Sequence, residues 1–455
     1  MRPGGERPLF RSGGRPDNGD PAHSVREVEG MSMKTLHELF ETALRNEWAF
    51  HKVGARLIQE RLAELGVSLN DEQLLEVESK LLNLTGDSIT VSVDVDEVSS
   101  IDSAWEDAIG EKRRIDLGDC ERDLDALLER FGAALEGAIP AIVDEVSDLM
   151  LDQLKRDAPE MISSRKKQRQ SFEADLVRLW RKPLDLLEMI VAIAYEAGDD
   201  FNRKYRAEPS QANDCVLEIL TRLHARACQI ASEVLVLLRA GCADGALARW
   251  RTLHEIAVVA FFIESEGGDI AERYLRHEVI ESYKGAKQYQ EHCEALGFEP
   301  IPDQELAQME LACEGLKARF GKGYAQDYGW AAPAFGGQAP RFIDIERKVG
   351  LAHLRPFYKM ACHNVHAGPK GVFFRLGLSP GHARILLAGP SDAGLADPAQ
   401  GTAISLDQIT TTLLSTKPSV DSLVVSRLLM KLAGEVGREA LEVDSALESS
   451  AAPRQ

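Results

Sequence analysis

The feature that most constrains the fold is a helical spacing of apolar residues, which recurs along most of the chain. One such apolar stripe joins Leu220, Leu223, Ala227, Ile230 and Val234 at steps of three or four residues. This spacing places apolar side chains on one face of an α-helix. Because the chain has 455 residues, 44% of them hydrophobic, it can bury a sizeable core. The sequence predicts an all-α fold, mainly a helical bundle.

Two segments instead show the pattern of β-strands. Ile89–Val95 alternates apolar and polar residues, which is typical of a half-buried strand. The apolar runs Val372–Leu376 and Ala383–Leu387 are joined around Ser379-Pro380-Gly381, as in a β-hairpin. We therefore expect one short N-terminal strand and a minor β-hairpin beside the helices.

Breaks in these patterns divide the chain into four parts. The first part is rich in Gly, Pro and Arg, which favours disorder, and Glu208-Pro209-Ser210 interrupts the helical pattern near the middle. The expected parts are a disordered tail at 1–32, an N-terminal helical region at 33–207, a C-terminal helical bundle with the hairpin at 208–443, and a disordered tail at 444–455.

Charge and composition restrict the partners. The net charge of -20 repels nucleic acid, so RNA binding would need a local basic patch. The basic run Arg165–Arg169 is a candidate for such a patch. A basic run of this kind is also typical of a solvated helix face. The 7 cysteines form no CxxC pair, which indicates a reduced, cytoplasmic chain. Since no apolar run approaches the roughly 20 residues of a membrane span, we expect no membrane contact, and a homo-oligomer or protein partner instead.

The first polar constellation opens a helix that is otherwise apolar. Arg251, His254 and Glu255 are at positions i, i+3 and i+4, and therefore share one helical face. Buried without partners they would be costly, so they must face solvent, one another or a cleft. An exposed Arg–Glu pair and a functional cleft are both compatible with this pattern.

The second constellation lies between Tyr358 and Gly368. His363 and His366 are three residues apart and could point the same way, but a metal site would need a third ligand. The chain has no phosphate-binding loop, dinucleotide fingerprint, serine-hydrolase elbow or zinc finger. We expect no cofactor and no metal, and we expect this segment to meet the Arg251–Glu255 segment in space.

These motifs resemble a bacterial family of unknown function, number five-six-seven-seven. The resemblance rests on Gly245–Glu255, on Arg273-Tyr274 and on the segment from Tyr358 to Gly368, and it covers about residues 216–377. It implies that Arg251, Glu255, Tyr358 and His366 belong to the family pattern, while Cys362 stands where a small hydroxyl residue is expected. With His254 added, the candidate catalytic residues are Arg251, His254, Glu255, Tyr358 and His366.

A wider resemblance is to the helical nucleases of the HEPN group, in which an Arg and a His with four to six residues between them act across a dimer. Arg249 and His254 fit this spacing, and so do Arg45 and His51. The resemblance implies a metal-independent ribonuclease, in which His acts as general acid or base and Arg stabilises the phosphorane.

Three functional hypotheses follow. The first is a bacterial cytoplasmic accessory protein, in phage defence or stress response, with a polar Arg/Glu/Tyr/His cleft. The alternatives are the HEPN-like ribonuclease and a non-catalytic protein–protein interaction module. The Gly- and Pro-rich loop with Tyr324, Tyr328, Trp330 and Phe335 is expected to cover the polar cluster as a lid or to pack on a partner subunit.

Overall fold

The structure is a computed structural model that describes residues 50–64, 69–83, 120–206, 214–378 and 386–451. Within these ranges the regular structure is helical and contains no β-strand, which confirms the predicted all-α fold. None of the helices in the described ranges is long and apolar enough to cross a bilayer.

The chain divides into two compact units, of which the smaller lies within Asp20–Lys166. Its helix α1 spans Phe50–Glu64 and α2 spans Asp71–Leu82. Helix α2 begins at a capping box, because the Asn70 side chain accepts a hydrogen bond from Gln73 N and the Gln73 side chain accepts one from Asn70 N, both at 2.9 Å. A small apolar cluster that includes Ala55, Leu62 and Val77 joins the two helices.

The larger unit contains Lys167–Gln455. It begins within helix α3, which spans Cys120–Leu179. The helices that follow in chain order are α4 (Arg181–Phe201), α5 (Cys215–Arg239), α6 (Ala243–Glu266), α7 (Gly268–His292), α8 (Asp303–Phe320), α9 (Phe342–Lys348), α10 (Arg355–Val365), α11 (Pro369–Phe373), α12 (Ala396–Ser415) and α13 (Val420–Ala451).

Helices α4, α5, α6, α12 and α13 pack around one core. Helix α6 is central: Trp250, Leu253, Ala257 and Phe262 are each at most 1% exposed. The Trp250 indole N–H donates to Ser405 Oγ of α12 at 3.1 Å, so its buried donor is satisfied. This core holds the polar face of α6 in a fixed position.

The predicted hairpin is wrong in its first arm. Pro369–Phe373 form helix α11, with Pro369 in the first turn, where its fixed φ suits a helix. Gly371 packs so closely on α10 that a Cβ atom there would lie 2.0 Å from His363 O. A short apolar run does not by itself distinguish strand from helix, and here the contact with α10 decides. Most of the second arm falls in 379–385, and the N-terminal strand falls in 84–119; both lie outside the described residues.

The larger unit also includes helix α4. It begins at Lys167, and Trp180, Leu187 and Ile190, all 0% exposed, belong to the same core as α5 and α6. Helix α13 continues to Ala451, beyond residue 443, where the sequence pattern placed the start of a polar tail.

The aromatic loop packs on helices of its own chain. It contains two 3₁₀ helices, Lys322–Ala325 and Gly329–Phe335. The Tyr324 hydroxyl donates to Arg273 O of α7 at 2.6 Å, and the Trp330 ring packs edge-on against Phe262 of α6, with centroids 5.7 Å apart. The alternative of packing on a partner subunit is therefore not needed to bury these rings.

Candidate functional site

Arg251, Glu255 and Tyr358 form a closed triangle of polar contacts between α6 and α10. Arg251 Nη2 donates to the Tyr358 hydroxyl at 3.1 Å and lies 3.0 Å from Glu255 Oε1. The Tyr358 hydroxyl donates to Glu255 Oε1 at 2.6 Å. The Arg251 and Glu255 side chains are 26% and 27% exposed, whereas Tyr358 is buried. The predicted meeting of the two segments is confirmed for these three residues.

Tyr358 is flanked by two guanidinium groups. The Cζ atom of Arg251 lies 5.1 Å from the centroid of the Tyr358 ring, and that of Arg355 lies 4.7 Å from it. A cation over an aromatic face is attracted by the ring quadrupole, and more strongly where water is excluded. Arg251 and Arg355 therefore hold Tyr358 in place, in addition to binding the carboxylates of Glu255 and Glu346, respectively.

A second group lies behind the triangle and is more deeply buried. His254 Nε2 lies 3.0 Å from Glu346 Oε1, and both side chains are 0% exposed. Arg355 Nη1 donates to the other carboxylate oxygen of Glu346 at 2.5 Å. The His254 ring packs on Trp250 and on Tyr358, with centroids 5.4 and 5.9 Å apart. Glu346 of α9 thus connects α6 to the first residue of α10.

The surroundings of Arg251, Tyr358 and Tyr328 shift the pKa values of these three side chains. Burial, followed by the hydrogen bond to Glu255, raises the pKa of Tyr358 far above its ordinary value. Partial burial lowers the pKa of Arg251, but the hydrogen bond with Tyr358 and the charge of Glu255 produce a net rise. Burial, together with the charge of Glu255, raises the pKa of Tyr328 to about 12. Near neutral pH the cluster therefore holds a charged arginine and protonated tyrosines, none of which has the pKa of a general base.

Two of the candidate residues do not join the triangle. His366 follows the last turn of α10, where its backbone N–H donates to Cys362 O at 3.1 Å, and the residue is exposed. His254 belongs to the buried group with Glu346. Within the described ranges, no three His, Cys, Asp or Glu side chains are close enough together to hold a metal ion.

The arginine and histidine of the nuclease spacing have different partners. Arg249 binds Glu233 of α5, whereas His254 is fully buried against Glu346 of α9. These two positions lie about 140° apart around the helix axis, because each residue turns an α-helix by about 100°. The structure therefore gives Arg249 and His254 no shared contact in the described part of the chain.

Sequence reasoning missed Glu346 and Arg355. The sequence predicted no element for the segment that contains Glu346, which the structure shows as the short helix α9, Phe342–Lys348. Arg355 is the first residue of α10, and helical spacing does not show which groups its side chain contacts.

Two buried nitrogen atoms in this cluster have no hydrogen-bond partner among the described residues, namely Arg251 Nε and His254 Nδ1. The remaining polar contacts are between members of the cluster, and its positive and negative charges are matched as Arg251 with Glu255 and Arg355 with Glu346. Chemically, the arrangement can join three helices: Tyr358 of α10 and Glu346 of α9 bind Glu255 and His254 of α6, and the Arg355–Glu346 ion pair connects α9 to α10.

Comparison with known proteins finds one matching family model. No curated protein and no solved structure matches the chain. A family model does match, over a segment that contains both polar groups and helices α6 to α11. The resemblance drawn from the short motifs is thereby confirmed: residues 217–383 match the model of the family of unknown function DUF5677.

Proposed function

We propose that the protein is a bacterial cytoplasmic accessory protein that acts as a non-catalytic, protein-binding helical module. The polar cluster then has a structural role: it stabilises the packing of α9 and α10 on the central helix α6. Phage defence and stress response are the settings in which we expect such a module, and genes adjacent to its own would distinguish them.

The observation that carries the proposal is the mutual pairing of the cluster. The terminal nitrogen of Arg251, the Glu255 carboxylate and the Tyr358 hydroxyl bind one another, so a substrate would have to break these contacts to use them. Catalytic groups act on a bound substrate from within hydrogen-bond reach, whereas His254 is 0% exposed. A cluster whose charges are matched within itself is expected of a structural tie.

The second candidate, a HEPN-like metal-independent ribonuclease, is favoured by one observation. Nδ1 of the buried His254 has no hydrogen-bond partner among the described residues, so this nitrogen is free for proton transfer if the cluster opens. The distinct partners of Arg249 and His254 and the net charge of -20 weigh against it, because RNA cleavage needs base and charge stabiliser around one phosphate.

An RNA cleavage assay with the purified full chain separates the two candidates. We expect no metal-independent cleavage of a mixed RNA pool by the wild type, and we expect Arg251→Ala to lower the free energy of unfolding by about 1–3 kcal/mol, since it leaves the partly buried Glu255 with the Tyr358 hydroxyl but without its charged partner. The free energy of unfolding is measured by urea unfolding.

A matched control is Arg226→Ala on α5, because Arg226 is exposed and its side chain, among the described residues, binds the neighbouring Gln229; the free energy of unfolding should change by less than about 0.5 kcal/mol. Cleavage by the wild type that disappears in His254→Ala and Arg251→Ala, with circular dichroism showing both variants folded, would establish the ribonuclease and reject the proposal.

A further inference from the structure

A group of three arginines on α7 and α8 shares no residue with the polar cluster. Arg276 Nε donates to Glu272 Oε1 at 2.8 Å, and Arg319 Nη2 donates to Glu272 Oε2 at 2.8 Å. Arg273 and Arg319 both lie over the Phe320 ring, each with its Cζ atom 4.7 Å from the ring centroid. Glu272 and Phe320 therefore bring the three guanidinium groups together.

Arg273 is the member of this arginine group that lacks an opposite charge. It is 9% exposed, and it donates from Nε to Trp330 O at 3.0 Å and from Nη2 to Gly329 O at 3.3 Å. Among the described residues its hydrogen-bond acceptors are these two backbone carbonyls, and no carboxylate forms an ion pair with it. Burial without an opposite charge is unfavourable for a cation and lowers the pKa of Arg273. A bound anion would supply the opposite charge.

The guanidinium groups have N–H donors left for such an anion. Arg273 Nη1 has no hydrogen-bond acceptor among the described residues, and it is not enclosed by protein atoms. Arg276 and Arg319 are each 49% exposed, and each uses one nitrogen for Glu272. Since a guanidinium group carries five N–H donors, both exposed arginines can bind a ligand and Glu272 at the same time.

The charge of the arginine group matches a dianion. Three guanidinium groups share the single carboxylate of Glu272, so two positive charges are left unmatched. A phosphate monoester carries nearly two negative charges at neutral pH, and guanidinium groups bind phosphate oxygens through pairs of N–H donors. The chain has a net charge of -20, which repels a long polyanion more strongly than a single small anion. The arginine group therefore fits one phosphate group.

We propose that Arg273, Arg276 and Arg319 bind the phosphate group of a small phosphorylated molecule. Arg273 contacts the phosphate through Nη1, and the two exposed arginines bind it from the solvent side. Because Arg273 also holds Gly329 O and Trp330 O, the bound phosphate stabilises the aromatic loop on α7. This site goes beyond the proposed function, since it gives the module a small-molecule ligand.

Titration calorimetry of the purified full chain with inorganic phosphate, at constant ionic strength in chloride, tests the site. We expect saturable binding by the wild type. Arg319→Gln should raise the dissociation constant at least about tenfold, because it removes a charged donor to the phosphate. Glu272 keeps Arg276 as its partner in this variant, so the fold should persist. Arg276→Gln should weaken binding in the same way.

The matched control is Arg222→Gln on α5. Arg222 is 64% exposed and binds the glutamate four residues before it, as Arg276 does on α7. The control removes the same charge at a distant position of the sequence, so the dissociation constant for phosphate should be unchanged. Equal phosphate binding by the wild type, Arg319→Gln and Arg222→Gln would overturn the proposal, and so would the absence of saturable binding by the wild type.

Two further ligands distinguish the source of the phosphate. Adenosine monophosphate should bind at least as tightly as inorganic phosphate and should depend equally on Arg319, whereas a single-stranded RNA without terminal phosphates should bind more weakly. An RNA that binds when neither small phosphate does would overturn the proposal. The non-catalytic role is decided separately by the RNA cleavage assay, so failure of the phosphate site would leave that role standing.

Discussion

Replacing Glu346 with alanine should lower the free energy of unfolding by about 3–5 kcal/mol, which is the usual cost of removing one partner from a buried ion pair. Glu346 is 0% exposed and is the acceptor for both His254 and Arg355. Without it, the Arg355 charge loses its carboxylate and His254 Nε2 loses its hydrogen-bond partner inside the core. Urea unfolding of the wild type and the variant measures the loss.

Two further variants make this result specific. Glu346→Gln keeps a polar group of the same shape, so its loss should be smaller than that of the alanine variant. Glu314→Ala removes a glutamate that is 59% exposed and forms its ion pair, within the described part of the chain, with Lys317, and the effect should stay below about 0.5 kcal/mol. A loss no larger for Glu346→Ala than for Glu314→Ala would show that the buried group does not hold α9 and α10 on the core.

The second large effect is a decrease in the free energy of unfolding at low pH, caused by His224. This histidine of α5 is buried against α12, where its Nε2 lies 3.1 Å from Thr410 Oγ1, and burial lowers its pKa to about 4 from an ordinary 6.5. Because the unfolded chain binds a proton below pH 6.5 and the folded chain does not until about pH 4, stability falls as pH decreases across this window. The shift corresponds to about 3 kcal/mol at pH 4.

The measurement is the free energy of unfolding from pH 7.5 to pH 4 for the wild type and His224→Gln. We expect the wild type to lose about 3 kcal/mol relative to the variant over this range. Asp407 acts in the opposite direction, because burial raises its pKa to about 6 and the folded carboxyl therefore binds its proton first as pH falls. This effect is common to both proteins. Parallel curves for the two would contradict the burial of a neutral His224.

The candidate site was predictable in the part that depends on helical spacing. Arg251 and Glu255 at i, i+4 had to share a face of α6, the resemblance to the family of unknown function indicated Tyr358, and the need of buried polar groups for partners predicted that the two segments meet. The histidines were not predictable in the same way. Whether His254 faced a cleft or the core depended on Glu346, and His366 lies just past the last turn of α10, where the chain leaves the helix.

In the fold, too, the features set by local sequence were predictable, whereas those set by tertiary contacts were not. Helix α5 was predictable because its apolar stripe, which includes Leu220 to Val234, is long and regular. The run Val372–Leu376 was too short for its period to distinguish strand from helix, and Pro369–Phe373 form a helix that packs closely on α10. Leu176, Leu187 and Ala194 also lie in helices, but which core these helices join is a tertiary property that the spacing of apolar residues does not contain.

The central claim, that the polar cluster stabilises the packing of α10 on α6, is tested most directly by a double-mutant cycle between Glu255 and Tyr358. Tyr358→Phe removes only the hydroxyl that donates to Glu255 Oε1 at 2.6 Å, and Glu255→Ala removes the acceptor. Unfolding free energies of the wild type, both single variants and the double variant give the coupling between them. We predict a stabilising coupling of at least about 1 kcal/mol. A coupling below about 0.3 kcal/mol, with single variants as stable as the wild type, would contradict the claim.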